Sequence, residues 1–428
     1  MKDEDILTVL DTWNFWKHDL DTGISREFYV NRITSLISET EIPVVIETGI
    51  RHSGKSFIAK QSARRLISNG FPKERVLIIN LEDERLIERN YRLLLEMYRA
   101  YREKINPDKS AIIIIDEAQE VDGWERFVRG LAEKGEAKFI ITGSSSKLLD
   151  SEYSTLLSGR HVSVYVHPLD LLEYRDFSKR PDPFSCILME GSFPAIVLSD
   201  HKSDLTGSYF ETIVLKDVIK RFRIQKQEIL IRLAKFYITS VGSGITFNSV
   251  SKFLNIPVKT AYNFSIYLEK SYLIFFTERF SFSVRKQINS PRKVYAIDNS
   301  FPSFLGINPI EIRGRLLENA IGTILYFISR QVHDFHFYFW NENNKEVDFI
   351  IKHKREYEAI QVSYSIEDEK TRIREIDALL DCANRLNLSK VEIITMGYTN
   401  EELVNDISIR YVSAPDWIEQ RLAQYELN

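Results

Sequence analysis

The residues best placed to do chemistry lie in Gly49-Ile50-Arg51-His52-Ser53-Gly54-Lys55-Ser56. Two glycines flank four residues, and a lysine and a hydroxyl follow, which is the phosphate-loop pattern. In such a loop the backbone N–H groups turn inward around phosphate oxygens, and the N-terminus of the next helix adds positive potential. Gly49 through Phe57 therefore form the expected nucleotide cradle. Lys55 would reach the β- and γ-phosphates of ATP, and Ser56 would hold Mg²⁺. A second site of chemistry closes the apolar run Ala111–Ile115, where Asp116 and Glu117 follow. An acidic pair at a strand end beside a phosphate loop reads as a Walker B element. Asp116 is then a metal-shell ligand, and Glu117 orients the attacking water. Thr142 ends a third apolar run, Phe139-Ile140-Ile141, and either it or Ser144 could sense the γ-phosphate. Arg160 could stabilise transition-state charge in its own or a neighbouring subunit, or form an ordinary surface ion pair.

These groups need a rigid frame. Apolar runs at Val44–Glu47, Val76–Asn80, Ala111–Ile115, Lys138–Thr142 and His161–Val166 alternate with helical segments. That alternation predicts a parallel sheet covered on both faces. Residues 1–40 read as helical. With 428 residues the chain exceeds one core, so several domains are expected. Its net charge of −4 supplies no global pull toward nucleic acid, so any such surface must be local. Cys186 and Cys382 are too far apart in sequence to suggest a metal pair. An acidic N-terminus and the lack of a membrane-length apolar run complete the expectation of a cytoplasmic protein with no membrane partner.

Beyond residue 226 the pattern is helix, helix, turn, helix and strand. The helices fall at Glu228–Ser240, Phe247–Leu254 and Val258–Ser271. This order predicts a winged helix-turn-helix. Arg279, Arg285, Lys286, Arg292 and Lys293 occupy the expected β-ribbon, Arg279 to Lys293, with no acid among them. Lys259, Arg285 and Lys286 are accordingly the expected contacts to double-stranded DNA, and packing against protein is the alternative use of the module.

Over nearly its whole length the sequence resembles a family of AAA-type P-loop ATPases of archaea and bacteria. The residues that carry the likeness are Gly49 to Ser56, Ile115-Asp116-Glu117-Ala118-Gln119 with Trp124, Thr142-Gly143-Ser144-Ser145, and Ser158-Gly159-Arg160 before Pro168-Leu169. Thr22-Gly23-Ile24-Ser25-Arg26 resembles the family's lead-in, near the base of the nucleotide. The resemblance implies an α/β multidomain chain. Its parts would be a P-loop AAA-type core (1–167), a helical lid (168–225), a winged helix (226–300) and a C-terminal α/β domain similar to restriction nucleases (301–428). It implies ATP/ADP binding with Mg²⁺, ATPase activity and a possible homo-oligomer. In the nuclease-like domain, Glu318 and Glu346-Val347-Asp348 match the metal-binding pattern. Gln361 and Ser363 stand where that pattern carries an acid and a lysine, so an inactive nuclease-like domain is expected. Two carboxylates with no cation are foreseen, and Lys352 and Lys354, nearby in sequence, could replace the missing ammonium from the adjacent strand. The alternatives are a nucleotide-dependent protein switch without DNA and an ATP-gated nuclease.

Overall fold

The computed structural model describes residues 3–107, 109–143, 159–306, 312–366 and 368–427. The chain divides into two compact units, Met1–His167 and Pro168–Asn428.

The first unit is built on five parallel strands, β1 (Val44–Thr48), β2 (Val76–Asn80), β3 (Ala111–Asp116), β4 (Ala137–Gly143) and β5 (His161–Tyr165), in the order β2-β3-β4-β1-β5. Every β1 and β3 residue is buried, as the unbroken apolar runs require of strands covered on both faces. Helices Asp3–Trp13, Tyr91–Lys104 and Trp124–Glu133 contribute Leu10, Met97, Tyr101, Trp124 and Phe127 to the same core as Val44, Ile113 and Phe139. At the β2 edge, the buried side chain of Asn14 accepts from the Ile78 N–H at 2.7 Å and donates to the Ile78 carbonyl at 2.9 Å. One amide thus stands in for a neighbouring strand and closes an otherwise open edge. The parallel register places the carboxyl ends of β1, β3 and β4 together, which brings the sequence-distant candidate residues to one rim.

The second unit begins with short helices. By their contacts these helices, read from the sequence as a lid, fall with the C-terminal body. Asp298 accepts from the Ser192 N–H and hydroxyl at 2.7 and 2.9 Å, Asn299 donates to the Leu188 carbonyl, and the Phe193 and Phe301 rings meet edge to face. Burying Asp298 and Asn299 demands these partners.

Three helices follow, Gln227–Thr239, Phe247–Leu254 and Val258–Lys270, beside an antiparallel sheet of β6 (Gly244–Ile245), β7 (Ile274–Thr277) and β8 (Arg292–Ala296) in the order β6-β8-β7. Thr246 and Ser249 form a capping box at the second helix, and Asn255 ends it in the left-handed conformation. A plain ribbon was expected from Arg279 to Lys293. Instead, Ser283 caps a short helix, Val284–Asn289, between β7 and β8.

The C-terminal sheet contains β9 (Phe335–Glu342), β10 (Lys345–His353), β11 (Glu356–Val362), β12 (Lys390–Thr395), β13 (Asn400–Val404) and β14 (Ile407–Ser413). Their order is β13-β14-β12-β11-β10-β9, with β11, β12 and β14 parallel and the other pairs antiparallel. Helix Glu369–Leu386 links β11 to β12 and buries Leu379 and Cys382 against Val347, Ile350 and Ile393. The register between β9 and β10 shifts between Val347 and Ile350, a bulge that re-aims Asp348. Among the described residues, no helix is long and apolar enough to cross a membrane.

Candidate nucleotide site and a second carboxylate cluster

The phosphate loop leaves β1 at Gly49 and enters helix Lys55–Ser68. Gly49 has φ 141°, and a Cβ there would lie 2.1 Å from the Val166 carbonyl oxygen, so both conformation and space demand glycine. Gly54, at φ 97°, caps the helix. Lys55 is buried and folds back over the loop, donating to the Gly49 and Ile50 carbonyls at 3.0 and 2.8 Å. The Ser56 hydroxyl donates to Asp116 Oδ1 at 2.7 Å. Thr142 donates to the same oxygen at 2.5 Å and accepts from the Glu117 N–H at 3.0 Å. The Walker-type strand end is therefore fixed by β4, and Thr142 acts as its brace. Glu117 takes the left-handed conformation, φ 57°, and its carboxylate accepts from the Gln119 amide. Burial and the neighbouring Glu117 charge raise the Asp116 pKa, opposed by the hydrogen bonds from Thr142 and Ser56. A buried carboxylate made costly in this way is suited to a cation. The buried Ser53 hydroxyl also lacks a hydrogen-bond partner among the described residues. The donor set and the glycine-shaped cradle fit a Mg²⁺-bound nucleotide.

Two supports come from outside the loop. Arg26, almost fully buried, donates to the Ser53 carbonyl at 2.6 Å and the His167 carbonyl at 2.9 Å, tying the lead-in segment to the loop. Gln61 holds the same segment through the Thr22 and Ile24 carbonyls. Glu47 is fully buried on β1 beside Thr142, and burial followed by repulsion from Asp116 raises its pKa well above the carboxylate range. The buried run Val44–Thr48 hid it as one polar residue in a strand. Arg51 pairs with Glu82 at 3.0 Å, and Phe57 is half exposed beside Gly23.

Arg160 is not part of this constellation. It precedes β5, whose first residue, His161, pairs with Val44 at the start of β1. That places it level with Pro43 at the sheet rim opposite Gly49, six residues or roughly 20 Å away at about 3.3 Å per strand residue. There it makes an exposed ion pair with Glu133 at 2.6 Å. Ser144, Ser145 and Ser158 lie outside the described residues.

The second unit holds another concentration of charge. Glu318 on helix Arg313–Gln331 and Glu346 and Asp348 on β10 converge on one ammonium, Lys293 of β8. Its Nζ lies 2.9 Å from Glu318 Oε1, 2.8 Å from Glu346 Oε1 and 2.9 Å from Asp348 Oδ1. The expectation of two carboxylates without a cation is corrected: the cation comes from β8, and neither Lys352 nor Lys354 supplies it. Burial alone would lower the lysine's pKa, but Asp348 and Glu318 hold it well above the ordinary value. The cluster floors a cavity of about 550 Å³ that Gln361, Ser363 and Glu375 also line.

The same contacts correct the reading of an uncompensated basic ribbon. Lys293 is buried among carboxylates, Arg292 pairs with Glu278 at 3.0 Å, and Arg279 pairs with Glu342 at 3.5 Å. Lys259, Arg285 and Lys286 remain exposed, with no ion pair among the described residues.

Comparison with known proteins places these features in a lineage. A family described as "AAA domain" matches residues 41–175, and two domains of unknown function, DUF8612 and DUF4143, match residues 182–310 and 313–417. An uncharacterised protein of Haemophilus influenzae is 27% identical over 93% of this chain and 99% of its own length. The uncharacterised protein MJ1544 of Methanocaldococcus jannaschii is 30% identical over 82% of this chain and 81% of its own. The chain belongs to the MJ1544 family. Its N-terminal unit is an AAA-type P-loop domain with a parallel α/β sheet. Among solved structures, the Aeropyrum pernix ORC1 protein in complex with DNA is similar at 12% identity and a TM-score of 0.35, covering 76% of this chain and 97% of that one. The match at 182–310 unites the short helices from Pro183 onward with the three-helix segment, as the contacts of Asp298 and Asn299 do.

Proposed function

We propose that this protein is a Mg²⁺-dependent ATPase whose nucleotide state controls the action of its C-terminal unit on double-stranded DNA. The observation that carries the first half is the single oxygen, Asp116 Oδ1, that receives both Ser56 and Thr142 at the mouth of the loop. Ser56 and Asp116 would hold Mg²⁺, which offsets phosphate charge as bond cleavage proceeds. Lys55 would release the Gly49 and Ile50 carbonyls and turn to the β- and γ-phosphates. Loop N–H groups from Ile50 to Phe57 would orient the phosphates. Glu117, on a turn fixed through Thr142, would orient water and accept its proton. At the far rim, Arg160 would serve only a neighbouring subunit's nucleotide, which requires a homo-oligomer.

The DNA half rests on a winged-helix reading of the three helices and their small sheet. Lys259 begins the third helix, in the position of a groove-reading element, while Arg285 and Lys286 would meet phosphates. The test is ATP turnover measured with and without duplex DNA across a salt series. Stimulation that fades with salt supports the reading; indifference to DNA at low salt removes its second half. A nucleotide-dependent protein switch is favoured by a different observation: Phe253, Tyr262, Phe282, Val284 and Ile288 are exposed in the same segment. Gln361 and Ser363 argue against an active nuclease, because neither replaces the missing acid.

A further inference from the structure

The carboxylate pocket of the second unit is not used by the nucleotide chemistry, and its internal geometry carries a separate conclusion. We infer that Lys293 is the resident counter-ion of this carboxylate pocket, so the pocket binds the β8 strand and excludes a divalent metal; with Lys293 in place, no group among the described residues is arranged to hold one.

Three carboxylates are spent on one side chain. Lys293 is 2% exposed and donates within 2.9 Å to Glu318 and Asp348 and within 2.8 Å to Glu346. A buried ammonium is tolerated only when its protons are paired, and three acceptors match its three donors. The acceptors are committed as well. Asp348 gives its second oxygen to the Val362 N–H at 3.0 Å, and Gln361 turns its carbonyl oxygen to the Asp348 N–H at 3.2 Å. Glu318 Oε1 also accepts from the Tyr295 hydroxyl at 2.8 Å. Its other oxygen would lie 2.8 Å from a Cβ on Gly242, which sits at φ 73°. Glycine is therefore required where the chain enters β6, because the carboxylate already fills the space. An ion bound by these same oxygens would meet the ammonium at hydrogen-bond range, where like charges repel strongly at low exposure. Metal and Lys293 exclude one another.

The seat also has a mechanical role. Beyond β7 the chain pairs with β9: Phe280 N–H donates to the Phe339 carbonyl at 2.7 Å, and Phe339 N–H to the Glu278 carbonyl at 3.1 Å. Arg279 pairs with Glu342 on the same strand. Together with the Lys293 cluster, these contacts fasten both strands of the β7–β8 hairpin to the C-terminal sheet. The three-helix segment is thereby joined to that sheet by both strands of the hairpin.

Mn²⁺ binding to the nucleotide-free full chain tests this. Wild type and Asp348→Asn should bind Mn²⁺ equally, within about twofold. Lys293→Met should gain affinity by at least about tenfold, and Lys293→Met/Asp348→Asn should lose the gain, since a hard cation needs that carboxylate. Mn²⁺ binding by wild type that Asp348→Asn abolishes would overturn the inference, as would a folded Lys293→Met with no gain. Should Lys293→Met fail to fold, the milder Glu346→Gln decides against wild type: equal Mn²⁺ binding supports a metal-free seat, and a loss in the variant overturns it. No arm depends on ATP turnover, so failure here is distinguishable from failure of the ATPase reading.

Discussion

The phosphate loop and the Lys293 pocket both bury a lysine against oxygen atoms, but the two lysines are held very differently. Lys55 leans on two backbone carbonyls of its own loop, partners it can exchange for phosphate oxygens. Lys293 is gripped by three carboxylates from a helix and a strand and has no equivalent ligand to gain. A lysine hydrogen-bonded to exchangeable backbone carbonyls is poised to bind, whereas one surrounded by carboxylates is already bound. The same residue type thus serves as a ligand-binding arm in one unit and as an internal counter-ion in the other.

That contrast can be broken by mutation. Lys55→Ala should abolish ATP binding in equilibrium titration while costing the fold less than the loss of Lys293, because its hydrogen bonds go to backbone carbonyls and the carboxyl it acts on, Glu47, is one whose pKa burial raises. A large loss of stability would make Lys55 structural. Lys293→Met should do the reverse: nucleotide binding persists, while the C-terminal unit loses about 3–5 kcal/mol, the usual cost of removing one partner from a buried charge cluster. Denaturant unfolding followed by a C-terminal tryptophan signal would read this, and a change below about 1 kcal/mol would contradict the clamp.

A smaller effect concerns pH. Burial, then the nearby Asp348 charge, raises the Glu375 pKa from 4.5 to about 7, with a Ser363 hydrogen bond opposing. A folded pKa above the unfolded value means that protonation favours the fold. This contribution is full below 4.5 and is lost as pH rises through about 7. Glu375→Gln should flatten stability against pH across that window; an unchanged slope would assign the titration elsewhere. The smallest effect is on DNA. Arg285→Ala with Lys286→Ala should lower the slope of log affinity against log salt by about 2, weakening all duplex sequences alike. An unchanged slope would favour the protein-partner use of the segment.

The nucleotide half was legible because its determinants are local. Gly49, Gly54, Lys55 and Ser56 need a backbone turn that eight consecutive residues specify, and the strands around them are unbroken apolar runs. What stayed hidden is what chain crossing creates. Arg26 meets Ser53, Asn14 completes the edge of β2, and Lys293 reaches Glu318 and Asp348 by way of sheet packing that no spacing announces. Three of the ribbon's five cations, Arg279, Arg292 and Lys293, looked uncompensated because Glu278 precedes them and Glu342, Glu318, Glu346 and Asp348 follow on other elements. Which of the two readings of Arg160 applies within one subunit follows from strand register, which its distance in sequence to Thr142 does not reveal: it forms the surface ion pair with Glu133. The β13–β14 pair and the last helix, Ala414–Gln424, went unread because their short mixed segments carry no strong period.

The central claim, that the loop and Asp116-Glu117 form a working ATPase, is tested most directly by Glu117→Gln. ATP binding and turnover should be measured on the same preparation. The variant should bind ATP with Mg²⁺ as wild type does, while turnover falls by about 10²-fold or more, because only the group that orients and deprotonates water has changed. Hydrolysis at the wild-type rate would contradict the assignment.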